Sequence, residues 1–335
     1  MTEPVREPPA SDARVAVCSR SFSKNETLRR ELLERYPRTT FNDDGRSLAG
    51  ADLAAFLRGH DKAIVALERV DAALLDAVPE LRTIAKYGVG LDNIDVAAVR
   101  ARGLHLGWTP GVNRRSVAEV VLALAIDLLH GLSRGSREVR AGTWRQLLGR
   151  QLTGRTVGIL GLGRIGAEVL HLLEPFRCTV LAHDLIERPE LAARVRYVSL
   201  DELLAASELL TIHLPLDAST RGLLDARRIA QLRPGALLIN CARGGIVDED
   251  AVRRALLSGH LAGAAFDVFA TEPPTDRELL SLETFLATPH LGGSSIEAVL
   301  AMGRAAIRGL DVPASNDDLA SQLAPGAGYA LEEPR

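Results

Sequence analysis

Three charged residues stand in segments whose composition is suited to chemistry: Arg243 in NCARGGIVDE, Glu272 in DVFATEPP and His290 in TPHLGG. An arginine can hold a carboxylate through two parallel hydrogen bonds, and a histidine can move a proton near neutral pH. A glutamate beside that histidine can fix its tautomer and raise its basicity. Taken singly, each has a plainer reading: a surface ion pair, a solvated loop acid, and one of 8 histidines in the chain. Their company changes that reading, because all three follow the segment TVGILGLGRIGAEVL at 156–170. Set beside a nicotinamide ring, they would serve the interconversion of an alcohol and a ketone on a substrate that carries an acid group.

GLGRIG at 161–166 follows an apolar run and opens a helical pattern, the context that separates a nucleotide fingerprint from a chance spacing. Gly161 would permit the tight turn, Gly163 the close approach of a pyrophosphate, and Gly166 the packing of helix on strand. The helix N-terminus offers free N–H groups and a positive dipole end to the phosphates. Asp184, at the end of the next apolar run (LAHD), lies about 20 residues on, where a carboxylate accepts from ribose hydroxyls. An acid there repels a 2′-phosphate, so the expected cofactor is NAD rather than NADP.

The elements that must position these residues read as an α/β chain with parallel sheets. RVAVCS (14–19), KAIVAL (62–67), RTIAKY (82–87) and LHLGW (104–108) are predicted strands; 24–36, 48–59, 71–77 and 95–102 have helical periodicity. The apolar runs are continuous rather than alternating, as expected of strands covered on both faces. Residues 112–140 form the longest predicted helix, apolar nearly all round from Val117 to Leu132, so it must be buried on more than one side. A connector at 141–154 leads into six further strands near 155–160, 178–184, 209–215, 236–242, 262–268 and 284–290, a doubly wound pattern. Residues 294–310 are a final helix. The first 13 residues and the tail from Asp311 have no strong pattern and are expected to be loose.

Composition narrows the partners. The chain has 335 residues, long enough for two cored domains, with 47% hydrophobic and 25% charged residues. Its formal net charge is −3 and no dense basic block occurs, so nucleic acid is not an expected partner. Cys18, Cys178 and Cys241 are widely spaced, which argues against a disulfide framework or a metal site and fits a reducing cytoplasm. The N-terminus has no apolar secretory core, and no run of 18 apolar residues predicts a membrane span.

DVFATEPP, TPHLGG, NCARGGIVDEDAV, GLGRIG, YGVGLDNID and TPGVNRRSVAE together resemble the D-isomer-specific 2-hydroxyacid dehydrogenase family, in order and over roughly residues 14–310. The resemblance implies a Rossmann NAD-binding domain, about 112–292, inserted in a flavodoxin-like substrate domain built from 1–111 and 293–335. It implies a catalytic set of Arg243, Glu272 and His290, with the substrate carboxylate held by backbone N–H groups of Tyr87, Gly88, Val89 and Gly90. Lys86 and Asn113 fall in the implied substrate-binding segments. Cofactor contacts are implied at Arg164 and Ile165 within the fingerprint, at His213, Leu214, Pro215 and Thr220, at Cys241 and Ala242, and at Asp267, Gly292 and Gly293. Helix 113–140 corresponds to the family's dimer-forming helix, which implies a homodimer. No metal is implied.

Lys86, Arg114 and Arg115 are three cations near the expected mouth of the site. They read either as ordinary surface charges or as partners for a second anionic group on the substrate, such as a phosphate, phosphonate or carboxylate. The leading expectation is an NAD-dependent oxidoreductase acting on the CH–OH group of a 2-hydroxy acid, with 3-phosphoglycerate among the candidates. The alternatives are an NAD(H)-sensing, corepressor-like regulator and a formate- or phosphite-type dehydrogenase of the same fold. Asp184→Ala is expected to weaken NAD binding and to relax discrimination against NADP. Fluorescence titration with both cofactors checks this, and unchanged affinities would refute the ribose assignment.

Overall fold

The computed structural model describes residues 11–315 and Leu319. The loose leader and tail expected from the sequence fall largely at 1–10, 316–318 and 320–335, outside the described residues. The chain divides into two compact units. One runs to Asn113 and resumes at Ile296; the other is Arg114–Ser295.

The first unit holds five parallel strands: β1 (Val15–Val17), β2 (Thr39–Phe41), β3 (Lys62–Val65), β4 (Thr83–Lys86) and β5 (His105–Gly107). Their order is β2-β1-β3-β4-β5, the flavodoxin-like arrangement. Val15 and Val17 enter one apolar core with Phe22, Leu28 and Ile64, while Ala16 enters a second with Leu53, Val65 and Ile84. Successive side chains point to opposite faces, so a short strand feeds two cores and must be apolar throughout. β2 escaped the sequence reading because TTF is only three residues long, with two of them partly or wholly exposed at the sheet edge. Helices begin where a polar side chain accepts the N–H three residues on: Asn25 from Leu28, Asp71 from Leu74 and Asp95 from Ala98.

The last helix, Ile296–Gly309, belongs to this unit. It seats on β5 through two glycines, since a Cβ on Gly107 would stand 2.0 Å from the carbonyl oxygen of Gly309. The expectation of a loose tail from Asp311 is corrected at its first residues. The Asp311 carboxylate accepts from Arg35 Nε (2.6 Å), Tyr36 Oη (2.5 Å) and Lys62 Nζ (2.9 Å), and Ala314 N donates to Leu106 O (2.8 Å).

The second unit holds seven parallel strands: β6 (Thr156–Leu160), β7 (Thr179–His183), β8 (Arg196–Tyr197), β9 (Leu209–Ile212), β10 (Ala236–Asn240), β11 (Leu261–Phe266) and β12 (Phe285–Ala287). Their order, β12-β11-β10-β9-β6-β7-β8, is the Rossmann order with one further strand beyond the sixth. Six strands were expected. The one not expected, β8, is a two-residue edge strand whose residues are exposed or partly exposed, too short to carry a pattern.

The single helix expected at 112–140 is instead two, Arg114–His130 and Leu132–Arg140, bent by 62°. Gly131 sits at the break in the left-handed region (φ 68°), and Asp127 accepts from Ser133 N at 2.8 Å to start the second helix. The first helix buries one stripe, including Val117, Val121, Leu124, Ala125 and Leu129, while Val120, Leu122, Ile126 and Leu128 are only partly covered within the unit. Among the described residues, no single helix is long and apolar enough to cross a membrane.

Burial favours the protonated form of Asp311, but hydrogen bonds from Tyr36, Lys62 and Arg35 outweigh it and hold the carboxyl below its ordinary range. A depressed folded-state value adds stability above the unfolded-state value, near 3.9, and loses it as pH falls through the folded one. Asp311→Asn is expected to lower the unfolding free energy by about 1–2 kcal/mol at neutral pH. In urea titrations the native and variant curves should converge as the pH is lowered below about 4.

Candidate active site

The carboxyl edge of the second sheet collects the nucleotide fingerprint. Gly161, just after β6, has φ +94°, and a Cβ there would stand 2.8 Å from Leu214 Cδ2 and 2.9 Å from His213 O. Gly166 lies on the helix Arg164–Leu173, where a Cβ would meet Gly161 O at 2.2 Å. These two glycines are required by the protein's own packing. Gly163 is different: it is exposed, and nothing lies within 4 Å of a Cβ built on it. That open space, at the N-cap of a helix whose first residues are Arg164 and Ile165, fits close approach by a phosphate.

Asp184 follows β7 and is tied to the glycine turn, accepting from Leu162 N (2.5 Å) and, through its other oxygen, from Ile186 N (3.3 Å). A carboxylate has about four lone-pair sites, so it can still accept from a ribose. His213, Leu214 and Pro215 follow β9. The His213 ring shares a hydrogen with Thr211 Oγ1 (3.0 Å), and burial pushes its pKa down to about 3, so it is neutral at working pH. Thr220 Oγ1 donates to Pro215 O (2.7 Å) and fastens that loop. Cys241 and Ala242 follow β10 and are buried; burial, then the Asp267 charge, raise the Cys241 thiol far above its usual range, which removes it as a nucleophile.

Arg243 is placed by a local turn. Asn240 Nδ2 donates to Arg243 O (3.0 Å), Asn240 Oδ1 accepts from Ala242 N (3.1 Å), and Arg243 Nη1 donates to Ala242 O (2.7 Å). The next residue must be glycine, because a Cβ on Gly244 would stand 1.9 Å from the carbonyl of Phe269. This contact sets the Arg243 turn against the segment that carries Glu272. Glu272 Oε1 in turn accepts from Phe269 N (3.1 Å), and Glu272 Oε2 is 2.9 Å from His290 Nδ1.

With Nδ1 donating to that carboxylate, the ring leaves Nε2 for a reacting group. His290 holds a positive φ (52°), rare for a side chain of its size. Asp267, buried after β11, keeps it there: its Oδ1 accepts from Thr288 Oγ1 (2.6 Å) and Leu291 N (2.8 Å), and its Oδ2 from Gly292 N (2.8 Å). Ser116 Oγ donates to Gly292 O (2.6 Å) from the helix Arg114–His130, and Gly293 follows, half-buried. In the sequence the two glycines after Arg243 are a sign of close backbone approach, which Gly244 bears out, while Asn240, Ser116 and Thr288 were missed as supports. Only Asn240, a polar residue ending an apolar strand before a glycine pair, carried a local signal.

In the first unit, Gly88 has φ +137°, Val89 O accepts from Trp108 Nε1 (3.0 Å), and Gly88, Val89 and Gly90 are half-exposed. Tyr87 is buried edge-on against Phe22 (5.5 Å). Asn113 is buried, and its Oδ1 has no hydrogen-bond partner among the described residues. Of the three cations, only Lys86 departs from the reading of ordinary surface charges. Lys86 is 5% exposed, with its ammonium on Ala66 O and Asn93 Oδ1 (2.5 Å). Arg114 and Arg115 are exposed but share Glu168 (3.3 and 3.1 Å), and Arg115 also meets Glu119 (2.7 Å).

Residues 122–292 match the family model for the D-isomer specific 2-hydroxyacid dehydrogenase NAD-binding domain. A D-3-phosphoglycerate dehydrogenase of Mycobacterium bovis is 38% identical over 268 residues, 79% of this chain and 51% of that protein. The chain thus spans about half the length of this relative. A hydroxypyruvate reductase of Thermotoga maritima is 38% identical over 240 residues, 70% of this chain and 78% of that protein. A solved structure from Polaromonas sp. JS6 66, assigned to the same family, superposes with a TM-score of 0.83 at 33% identity, covering 90% of this chain and 96% of the other. On the matched domain, the length of the shared sequence and the fold, the chain belongs to the D-isomer specific 2-hydroxyacid dehydrogenase family.

Proposed function

We propose that the protein is an NAD-dependent D-2-hydroxyacid dehydrogenase interconverting a 2-hydroxy acid and its 2-keto acid. The observation that carries this reading is the His290–Glu272 pair, 2.9 Å apart on an edge that also holds the glycine turn and Asp184. Bound NAD would supply the hydride acceptor, and its reduced form the donor. His290 Nε2 gives a proton to the substrate oxygen in reduction and takes it back in oxidation. Glu272 holds the ring so that Nε2, not Nδ1, faces that oxygen. Arg243 stabilises negative charge on the same oxygen and helps hold the carboxylate. The N–H groups of the glycine loop 88–90 bind the carboxylate as well, and Asp184 accepts from the cofactor's ribose.

The relatives' names suggest 3-phosphoglycerate or hydroxypyruvate as substrate types. The buried, engaged ammonium of Lys86 and the carboxylate-paired Arg114 and Arg115 do not single out a second anionic group. We therefore favour a short 2-keto acid without a distal phosphate. Leu132, Val139, Trp144 and Leu148 are 51–103% exposed and lie in one stretch of chain, which supports a homodimer formed through that region. The free cysteines fit a reducing compartment, and we place the protein in the cytoplasm.

NADH oxidation over a panel of 2-keto acids, phosphorylated and not, tests the reading. Turnover of none would refute it and leave the NAD(H)-sensing alternative. His290→Ala is expected to lower kcat by about two to four orders of magnitude with NADH affinity nearly intact; unchanged kcat would remove the assigned role. A Trp144→Glu/Leu148→Glu double variant should sediment as a monomer where the native protein sediments as a dimer.

A further inference from the structure

The glycine loop that follows β4 is held from beneath by a buried charge. Lys86 closes β4 with its stem running under the loop: a Cβ on Gly88 would stand 3.3 Å from Lys86 Cε. Its ammonium donates to Ala66 O and to Asn93 Oδ1, the latter at 2.5 Å. Asn93, beyond the loop, then donates to Ala66 O (3.2 Å) and Glu68 O (2.5 Å), and its own carbonyl accepts from Val70 N (2.8 Å). Glu68 completes the set by accepting from Ala66 N (2.6 Å). Lys86 and Asn93 therefore bracket the loop 88–92 and tie both of its ends to the segment 66–70 after β3.

Burying an ammonium carries a desolvation cost that only well-placed acceptors offset. A carbonyl and a side-chain amide oxygen help meet that need here, and they hold the ammonium behind the loop. We infer that Lys86 and Asn93 are positioning residues: they shape the backbone at Gly88–Gly90 for a carboxylate, and Lys86 does not itself bind the distal end of the substrate. This rests on the reading that the glycine loop holds the substrate carboxylate.

Lys86→Met and Asn93→Ala, in the full chain, separate the roles. If the two residues act as a staple, both variants raise KM about 10- to 100-fold. The rise is the same for glyoxylate, which has no distal group, and for a phosphorylated 2-keto acid. kcat changes much less, NADH affinity is unchanged, and the double variant is no worse than either single one. An effect of Lys86→Met confined to the phosphorylated substrate, with Asn93→Ala silent, would overturn the inference, as would an unchanged KM in both. Amide hydrogen exchange gives a readout without turnover. Faster exchange confined to 66–70 and 88–93 in both variants supports the staple even if they melt early, and unchanged exchange there refutes it. A native protein that turns over no 2-keto acid would refute the dehydrogenase reading while leaving the exchange result to decide the staple.

Discussion

A parallel sheet sends the carboxyl end of every strand to one edge, and in the unit Arg114–Ser295 that edge receives residues from six strands. Gly161 follows β6, Asp184 β7, His213 β9, Arg243 β10, Asp267 β11 and His290 β12. Residues as far apart in sequence as 161 and 290 can share one chemistry only because all the connections return the chain to the same starting side. The right-handed crossovers of such folds make that return regular. The parallel pairing also explains why the strands are apolar throughout: helices cover both faces, and no face is left for an alternating polar pattern.

On this frame, buried polar and charged groups act as fasteners. Asp267 spends both carboxylate oxygens on the backbone and Thr288 hydroxyl of the loop that carries His290. A carboxylate accepting several such bonds is satisfied without a cationic partner. The loop then tolerates a histidine in the left-handed region because its neighbours leave it no alternative. Asp311 does comparable work in the other unit, joining the end of the last helix to Arg35, Tyr36 and Lys62. Glycines complete these joints by subtraction. Gly244 lets the Arg243 turn lie on Phe269, and Gly107 lets the last helix lie on β5.

Most of the architecture was legible in the chain, because apolar runs of strand length alternating with amphipathic stretches leave few α/β alternatives. What escaped lies at sheet edges, where β2 and β8 are two or three residues long and partly exposed, so no period can be seen. The break at Gly131 escaped for another reason. Glycine is tolerated inside a helix, and only the folded chain, through the left-handed φ of Gly131 and the Asp127–Ser133 hydrogen bond, shows that a new helix starts there. The pairing of Glu272 with His290 was legible from their segments and the family resemblance these carry. The placement of Lys86 was not, because a lysine preceding a glycine loop has the same sequence whether its ammonium faces outward or inward.

The amino-acid sequence by itself determined the residue types, the glycine turn and the acid that follows it, and the order of strands and helices along the chain. These are local matters, decided by side-chain chemistry, φ preference and periodicity. Tertiary structure decided which atoms meet. It set Glu272 on His290 Nδ1, wrapped the His290 loop around Asp267, laid Gly244 against Phe269 and turned Lys86 beneath its own loop. Each of these depends on distances between segments remote in sequence. Only packing to a dense, hydrogen-bonded interior can set such distances.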